Sequence, residues 1–497
     1  MRLRPLSKNA VIGFRPLFQP RCRPRRELMT LAIETSCDDT SVAIVEKGSK
    51  HHETLAKLHF HKKVTSDNSE YKGVHPIRSL VSHQEHLANL VSEAISHLPD
   101  CEVGRMPESG RLRKNVCDAI DISTKRLPDF VSVTRGPGMR SNLFAGLDLA
   151  KGLTVAWQAH ALTPRLVSAL AQTATSPLKP EFPFLSVLAS GGHTLLIQSE
   201  SLTNQYVLGT TNDIAVGECL DKIARLVLPT DVLQNTRHTM YGALLEKFAF
   251  DQNGHDTNNT AAFGNDFSVP SPFQPGNIDD VTACSAEQFL RQSSRQYNFY
   301  KVPANHEEAS RQNITKWGWS FNQPLTKSNG GTKIRSIELS FSGLLTAVER
   351  VIRYETDAST MKLTKVERNI DKFNLEERQD IAREAMRAAF EHVTNRVVLC
   401  LQAISKSSVN LPGVVIAGGV AANHFMRHMM RLASTLCSRG YSDIQLYFPP
   451  PAYCTDNAAM IAWAGLEMFE AGHTDSLSIR AVRKWPLDEL MTPVEDG

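Results

Sequence analysis

A duplicated α/β fold of two similar lobes is the class this chain predicts, and two repeated patterns carry that reading. In the first, Leu31-Ala32-Ile33 runs through the polar turn Glu34-Thr-Ser-Cys-Asp-Asp-Thr40 into Ser41 to Val45, and Phe184 to Ala189 runs through Ser190-Gly191-Gly192-His193-Thr194 into Leu195-Leu196-Ile197. Each reads as a hairpin of two strands. In the second, Phe130 to Val133 leads through Gly136-Pro-Gly138 into a helical pattern from Ser141 to Trp157, and Val414 to Ile416 leads through Gly418-Gly419 into a helix from Asn423 to about Cys437. Strand, glycine turn and helix is the arrangement in which a helix N-terminus faces an anion. Two such lobes are expected to clasp a nucleotide.

The whole-chain numbers set bounds around this core. A length of 497 residues leaves room for two or three domains and a sizeable core. Hydrophobic residues at 41% and charged residues at 22% read as a soluble globular protein. The net charge of +3 is too small to argue for nucleic acid by itself, and no apolar run reaches the length of a membrane span. Any RNA contact is therefore expected to be local. Nine cysteines form no CxxC pair and are odd in number, which argues for reduced thiols and against a disulfide scaffold or a structural zinc site.

Along the chain, residues 1–28 read as a mitochondrial presequence, because Arg2, Arg4, Lys8, Arg15, Arg21, Arg23, Arg25 and Arg26 all precede the first acid, Glu27. A disordered basic arm that binds RNA is the alternative. A first lobe is expected over 29–181, with an insertion at 101–125, and a second over 182–470, with a polar insertion at 251–335. Residues 471–497 are expected to return to the first lobe. Trp317 and Trp319 are expected to pack the longer insertion onto the body. Asp456 and Asn457 stand where a helix from Ala458 to Phe469 begins, a position suited to an N-cap.

The chemistry is concentrated in the turns. Two glycines inside the apolar run at Ser190 to Thr194 mark a tight turn or a close approach to the backbone, and bare N–H groups there can cradle phosphate. An incidental hairpin is the alternative. His193 either touches the phosphate or supports the turn. Glu34, Ser36 and Asp38 occupy the first-lobe turn that faces the nucleotide in this fold class, with metal-water contact or turn capping as their alternative roles. His83, Glu85 and His86 match neither HExxH nor HxxEH and are expected to pack or face solvent.

Six motifs occur in a fixed order: Glu34 to Ile44, Ser190 to Thr194, Gly217-Glu218 with Asp221-Lys222, Ser340-Phe-Ser-Gly-Leu344, Ala417-Gly-Gly-Val-Ala-Ala-Asn423, and Cys454-Thr-Asp-Asn457. On these motifs the chain resembles the tRNA threonylcarbamoyladenosine transferases, the TsaD-like family, from about Met29 to Leu487 outside the insertions. Its basic leader is similar to that of the mitochondrial branch. The resemblance implies a two-lobed actin-like ATPase (ASKHA) fold with duplicated RNase H-like lobes. It implies transfer of the threonylcarbamoyl group of threonylcarbamoyl-AMP to N6 of the adenosine 3′ of the anticodon, in tRNAs reading ANN codons.

The same resemblance implies tRNA and a separate adenylate-making synthase as partners, a homodimer, a matrix location and no membrane. It assigns Leu188, Ala189, Ser190, Gly191 and Gly192 to the adenylate phosphate and acyl portion, Asp221 and Gly242 to the ribose, and Asn423 to the adenine side. One divalent metal ion (zinc, iron or magnesium) is implied, with Asp456 as its aspartate and His160 as the second of two histidines. Here the chain departs from the family pattern. Trp157 is followed at once by Gln158-Ala159-His160, the first histidine has no counterpart, and roughly ten residues, about one strand and a turn, are lacking. A doubly wound lobe needs a strand at that point to complete its crossover. Either coding sequence has been lost from the gene model, the favoured explanation since every other motif is intact, or the metal site is damaged and the central sheet strained. For the sequence as it stands, weak metal binding and instability are expected.

Alternatives remain open at this level. A nucleotide-binding scaffold or chaperone of the same fold and a metallopeptidase are the main ones, although the chain has no HExxH, no GxxxxGK[ST] and no GxGxxG. The basic stretches Arg111 to Lys114 and Arg427 to Arg431 are candidate tRNA contacts, with a solvated face as the alternative.

Overall fold

Two five-stranded sheets of identical strand order organise the chain. The computed structural model describes residues 27–50, 53–71, 73–100, 124–162, 181–235, 240–250, 297, 299–302, 314–325, 335–357, 360, 362–369, 373–406, 411–431, 441 and 444–491. The first sheet contains β1 (Leu28–Glu34), β2 (Asp39–Lys50), β3 (Glu53–Thr65), β4 (Phe130–Val133) and β5 (His160–Leu162) in the order β3-β2-β1-β4-β5. The second contains β6 (Phe184–Ala189), β7 (Thr194–Ser199), β8 (Gln205–Thr210), β11 (Gly413–Ala417) and β12 (Gln445–Tyr447) in the order β8-β7-β6-β11-β12. In each, three antiparallel strands are followed by two parallel ones. The duplication expected from the repeated motifs is therefore present strand for strand. A separate ribbon joins β9 (Tyr354–Asp357) and β10 (Lys362–Glu367).

Helices cover the sheets as the apolar periods require. In the first lobe these are α1 (Pro76–Ser96) and α2 (Arg140–Trp157). β1 is buried along nearly its whole length, as a central strand covered on both faces must be. Its alternating side chains go to opposite layers. Met29, Leu31 and Ile33 join Leu87, Leu90, Leu143 and Leu147 of α1 and α2 in one cluster, whereas Ala32 joins Ala458, Ile461 and Leu466 in another. The second lobe carries α3 (Val216–Val227), α4 (Thr230–Asn235), α5 (Tyr241–Phe250), α6 (Ser342–Arg353), α7 (Leu375–Ser405) and α8 (His424–Arg431). Trp319 is buried and donates to Glu377 of α7 at 2.8 Å, and Trp317 donates to Asp380 at 2.8 Å. These tryptophans tie part of the polar insertion to the body.

The last helix, α9 (Ala458–Glu470), shares its cluster with Ala32, Ala43, Val45 and Phe130 of the first sheet and with Leu188 and Ile197 of the second. Lys47 on β2 bonds Glu467 and Glu470, each at 2.6 Å. α9 thus packs against both sheets. Beyond α9, Ile479 and Ala481 enter the first-lobe core, and the Val482 N–H donates to the Arg135 carbonyl at 2.9 Å. Among the described residues, no helix is long and apolar enough to cross a membrane. The leader up to residue 26, residues 101–123 and most of 251–335 lie outside the described residues.

The expected gap after α2 resolves differently. The chain leaves α2 through Gln158, whose φ of 51° is left-handed, and enters β5 two residues later. A left-handed glutamine costs about 1 kcal/mol relative to the ordinary regions. The fifth strand is present, but it is built from the three residues beginning at His160.

Candidate functional site

The site gathers where the carboxyl ends of the parallel strands of the two sheets meet, the usual ligand position in open α/β sheets. On the second-lobe side, buried Leu188 and Ala189 end β6 and the hairpin follows. Ser190 and His193 close it: the Ser190 N–H donates to the His193 carbonyl at 2.8 Å, and the His193 N–H donates to Ser190 Oγ at 3.0 Å. Gly191, Gly192 and His193 are exposed. The hairpin rests on the first turn of α3, where Thr194 Oγ1 accepts from the Val216 N–H at 2.9 Å and the Ser190 carbonyl accepts from the Gly217 N–H at 3.2 Å. A Cβ on Gly217 would lie 2.7 Å from the Ser190 carbonyl oxygen and 2.8 Å from Gly191 Cα. Gly418, with φ of 95°, passes equally close to the Ala189 backbone. Only glycine permits these approaches.

Behind the hairpin, Asp221 Oδ1 accepts from the Gly242 N–H at 2.6 Å, which unites the two residues expected at the ribose. Burial pushes the Asp221 carboxyl up to about 6, against the Gly242 bond that favours its charge. Asn423 is buried and caps α8, accepting from the Met426 N–H at 2.9 Å. Glu246, which sequence reading missed, accepts from the Phe425 N–H at 3.0 Å, and burial pushes its carboxyl up to about 7. It follows Gly242 by four residues, one helical turn, so its spacing on α5 places both on one face. Asp213 was also missed. It accepts from the Ser340 and Ser342 hydroxyls and the Phe341 N–H, and these bonds outweigh burial to hold its carboxyl at about 2.

On the first-lobe side, Glu34 is completely buried and accepts from the Ser36 N–H at 2.5 Å and from Thr134 Oγ1. Burial raises its carboxyl above the usual range despite those bonds. His83 lies under the same turn with no exposure, bonding Thr40 Oγ1 at 2.7 Å and the Cys37 carbonyl at 3.0 Å. The turn is thereby held rigid. Asp38 is half-buried, and burial and then the charge of Asp39 raise its carboxyl. Asp39 pairs with Lys63 at 2.8 Å.

The segment before α9 joins the halves. Thr455 Oγ1 accepts from Lys63 Nζ at 3.0 Å, and Thr455 Cγ2 would lie 3.8 Å from a Cβ on Gly419. Ser41 Oγ accepts from the Ala458 N–H at 3.0 Å, while Asn457 caps α9 through the Met460 N–H at 3.1 Å. Asp456 therefore sits beside the acidic turn. Burial, then Glu34 and Asp39, push its carboxyl up to about 8, with Lys63 opposing.

His160 does not join it. His160 pairs with Phe130 at the start of β4, and Phe130 pairs with Thr30, four residues before Glu34. At about 3.3 Å per residue, this places His160 some 13 Å along the sheet from the acidic turn. The physical cause is the short crossover, which consumes His160 as strand. Among the described residues no group of His, Cys, Asp and Glu could hold a metal ion. The implied two-histidine and aspartate ligand set is thus represented in the cleft by Asp456 alone, and the residues present do not fit the metal. The basic stretch at Arg427 is likewise corrected: Arg427 is buried, bonding the Ala421 and Pro449 carbonyls at 2.6 Å and 2.5 Å. Arg111 to Lys114 lie outside the described residues.

A repeated β-sheet order of this kind, with the cleft at the paired carboxyl ends, defines the two-lobed actin-like ATPase (ASKHA) class with duplicated RNase H-like lobes. Residues 111–297 and 276–463 match the TsaD family, described as tRNA N6-adenosine threonylcarbamoyltransferase. The mitochondrial tRNA N6-adenosine threonylcarbamoyltransferase of Schizosaccharomyces pombe is 30% identical over 98% of this chain and 95% of its own. The tRNA N6-adenosine threonylcarbamoyltransferase of Bartonella bacilliformis is 29% identical over 93% of this chain and 96% of its own. The chain belongs to the tRNA N6-adenosine threonylcarbamoyltransferase family, a family of acyl-transferring enzymes. Among solved structures, full-length HypF in its phosphate- and nucleotide-bound form matches at 12% identity and a TM-score of 0.37, over 90% of this chain and 47% of that one. YeaZ from Pseudomonas aeruginosa matches at 15% identity and a TM-score of 0.20, over 36% of this chain and 66% of that one. The fold assignment rests on strand order and family membership instead.

Proposed function

We propose that this chain transfers the threonylcarbamoyl group of threonylcarbamoyl-AMP to N6 of the adenosine 3′ of the anticodon, in mitochondrial tRNAs reading ANN codons. The observation that supports it most is the seating of the Ser190 to His193 hairpin on the first turn of α3, with the Asp221–Gly242 pair behind it. A hairpin with two glycines at its tip, seated on a helix N-terminus, suits a phosphate, and an aspartate accepts bonds from ribose hydroxyls. The mitochondrial relative in Schizosaccharomyces pombe and the arginine-rich leader support action in the mitochondrial matrix. In the same reading the adenylate comes from a separate synthase and the chain acts as a homodimer.

The transfer forms a bond from N6 to the carbamoyl carbon and breaks the bond from that carbon to the phosphate oxygen, so AMP leaves and the amine loses a proton. Preorganised backbone donors at the hairpin would orient the leaving phosphate. Glu34 is committed to Thr134 and Ser36, which makes it a scaffold for the turn. Asp38, half-buried and raised above the usual carboxylate range, is the better candidate to accept the amine proton. No step is assigned to a divalent ion, because one carboxylate of the implied ligand set and neither imidazole reaches the cleft.

The test is reconstitution with tRNA, threonine, bicarbonate, ATP and a synthase that makes the adenylate. Modified adenosine that is lost in Asp221→Asn and Asp38→Asn supports the transferase. Nucleotide binding without modified tRNA would favour a scaffold, and peptide cleavage without tRNA would favour a peptidase.

A further inference from the structure

Lys63 reaches from β3 into the acidic junction and makes two bonds there, donating to Asp39 Oδ2 at 2.8 Å and to Thr455 Oγ1 at 3.0 Å. Asp39 is itself held by the Thr65 hydroxyl at 2.5 Å. Thr455 in turn packs toward Gly419 of the second lobe. One ammonium therefore links the first-lobe turn to the residue preceding Asp456, across 392 positions of sequence. Beyond burial, Asp39 raises the carboxyls of Glu34, Asp38 and Asp456, Glu34 and Asp38 raise that of Asp456 as well, and Lys63 is the cation that opposes the rise at both Asp38 and Asp456. No metal-holding group exists among the described residues, and residues 163–180, which follow β5, contain no His, Cys, Asp or Glu. Four carboxylates gathered in a cleft repel one another unless a positive charge is built in.

We propose that Lys63 is a positioning residue whose ammonium is the resident positive charge of the interlobe cleft, holding the two lobes in register through Asp39 and Thr455 where the metal ligand set is incomplete. This stands whichever group the enzyme transfers, since it concerns the geometry of the cleft and not the reaction.

The full chain and its Lys63→Gln, Lys63→Arg, Asp456→Asn and Lys63→Gln/Asp456→Asn variants are compared by thermal melting at pH 8, with and without EDTA, and by calorimetric binding of AMP. Lys63→Gln is expected to melt about 2–4 °C lower and to bind AMP several-fold more weakly. Lys63→Arg keeps the charge and should retain both properties. Asp456→Asn deletes a charge that Lys63 balances, so Lys63→Gln should lower melting less in the Asp456→Asn background than in the unaltered chain, a non-additivity that loss of a merely packing lysine would not show. EDTA should leave the unaltered chain unchanged. The proposal is overturned if Lys63→Gln melts and binds AMP like the unaltered chain, if the effects of Lys63→Gln and Asp456→Asn on melting simply add, or if EDTA alone lowers melting by several degrees.

Discussion

Replacing Asp456 by Asn isolates the electrostatic cost of assembling the cleft. Its carboxyl is shifted from 3.8 to about 8, first by burial and then by Glu34 and Asp39. Because the folded value lies above the unfolded one, the stability this group contributes is fully present below about pH 4 and is lost as pH rises through about 8. The interval from 3.8 to about 8, at about 1.4 kcal/mol per pH unit, sets a ceiling near 6 kcal/mol. Asp456 retains some exposure, Lys63 lies beside it, and the repulsion is shared among four acids, so the expected cost at pH 8 is about 1–2 kcal/mol. Asn has the same shape, carries no charge and leaves the Asn457 cap in place. The variant should melt with the unaltered chain at pH 5 and about 2–4 °C above it at pH 8. The assay is a melting curve at each half pH unit from 5 to 9 in constant salt. Parallel curves for the two proteins, or a variant that falls further behind as pH rises, would refute the reasoning.

Other substitutions test separate parts of the site. Asn457→Ala removes the acceptor for the Met460 N–H and should cost about 1 kcal/mol in denaturant unfolding, without changing the slope. Gly217→Ala forces a Cβ against the Ser190 and Gly191 backbone, so AMP affinity measured by calorimetry should fall about tenfold or more. Asp221→Asn replaces a charged acceptor and should weaken AMP binding by about 10- to 100-fold, and binding to the unaltered chain should weaken as pH falls below about 6. Asp213→Asn loosens the Ser340 to Ser342 turn. Since Asp213 is exposed, the expected loss is only about 0.5–1 kcal/mol near neutral pH, fading in acid as the pH drops from about 4 toward 2.

The parts of the fold legible in the sequence are those carried by short windows. β1 and β6 read as buried strands because their apolar runs are continuous, and the Ser190 to Thr194 turn stood out because glycines interrupt such a run. Asp221 and Gly242 could be paired only through family resemblance, and the structure brings them within 2.6 Å. β5 was illegible. Three residues have no period, and its place is set by the open edge of β4 rather than by any preference of His160-Ala161-Leu162. The packing of α9 against both sheets was equally hidden, because a helix apolar on most sides packs wherever two sheets leave room.

What the sequence determined by itself is the pair of lobes, the glycine turns and the family, since strand period, helix period and backbone clearance are properties of neighbouring residues. The tertiary structure decided the character of the cleft. It withdrew His160 to the far end of the sheet, buried Arg427, and set Lys63 against Asp39 and Thr455 beside Asp456. Charge and burial at a point depend on residues hundreds of positions apart being folded into one low-dielectric space, and no local pattern records that.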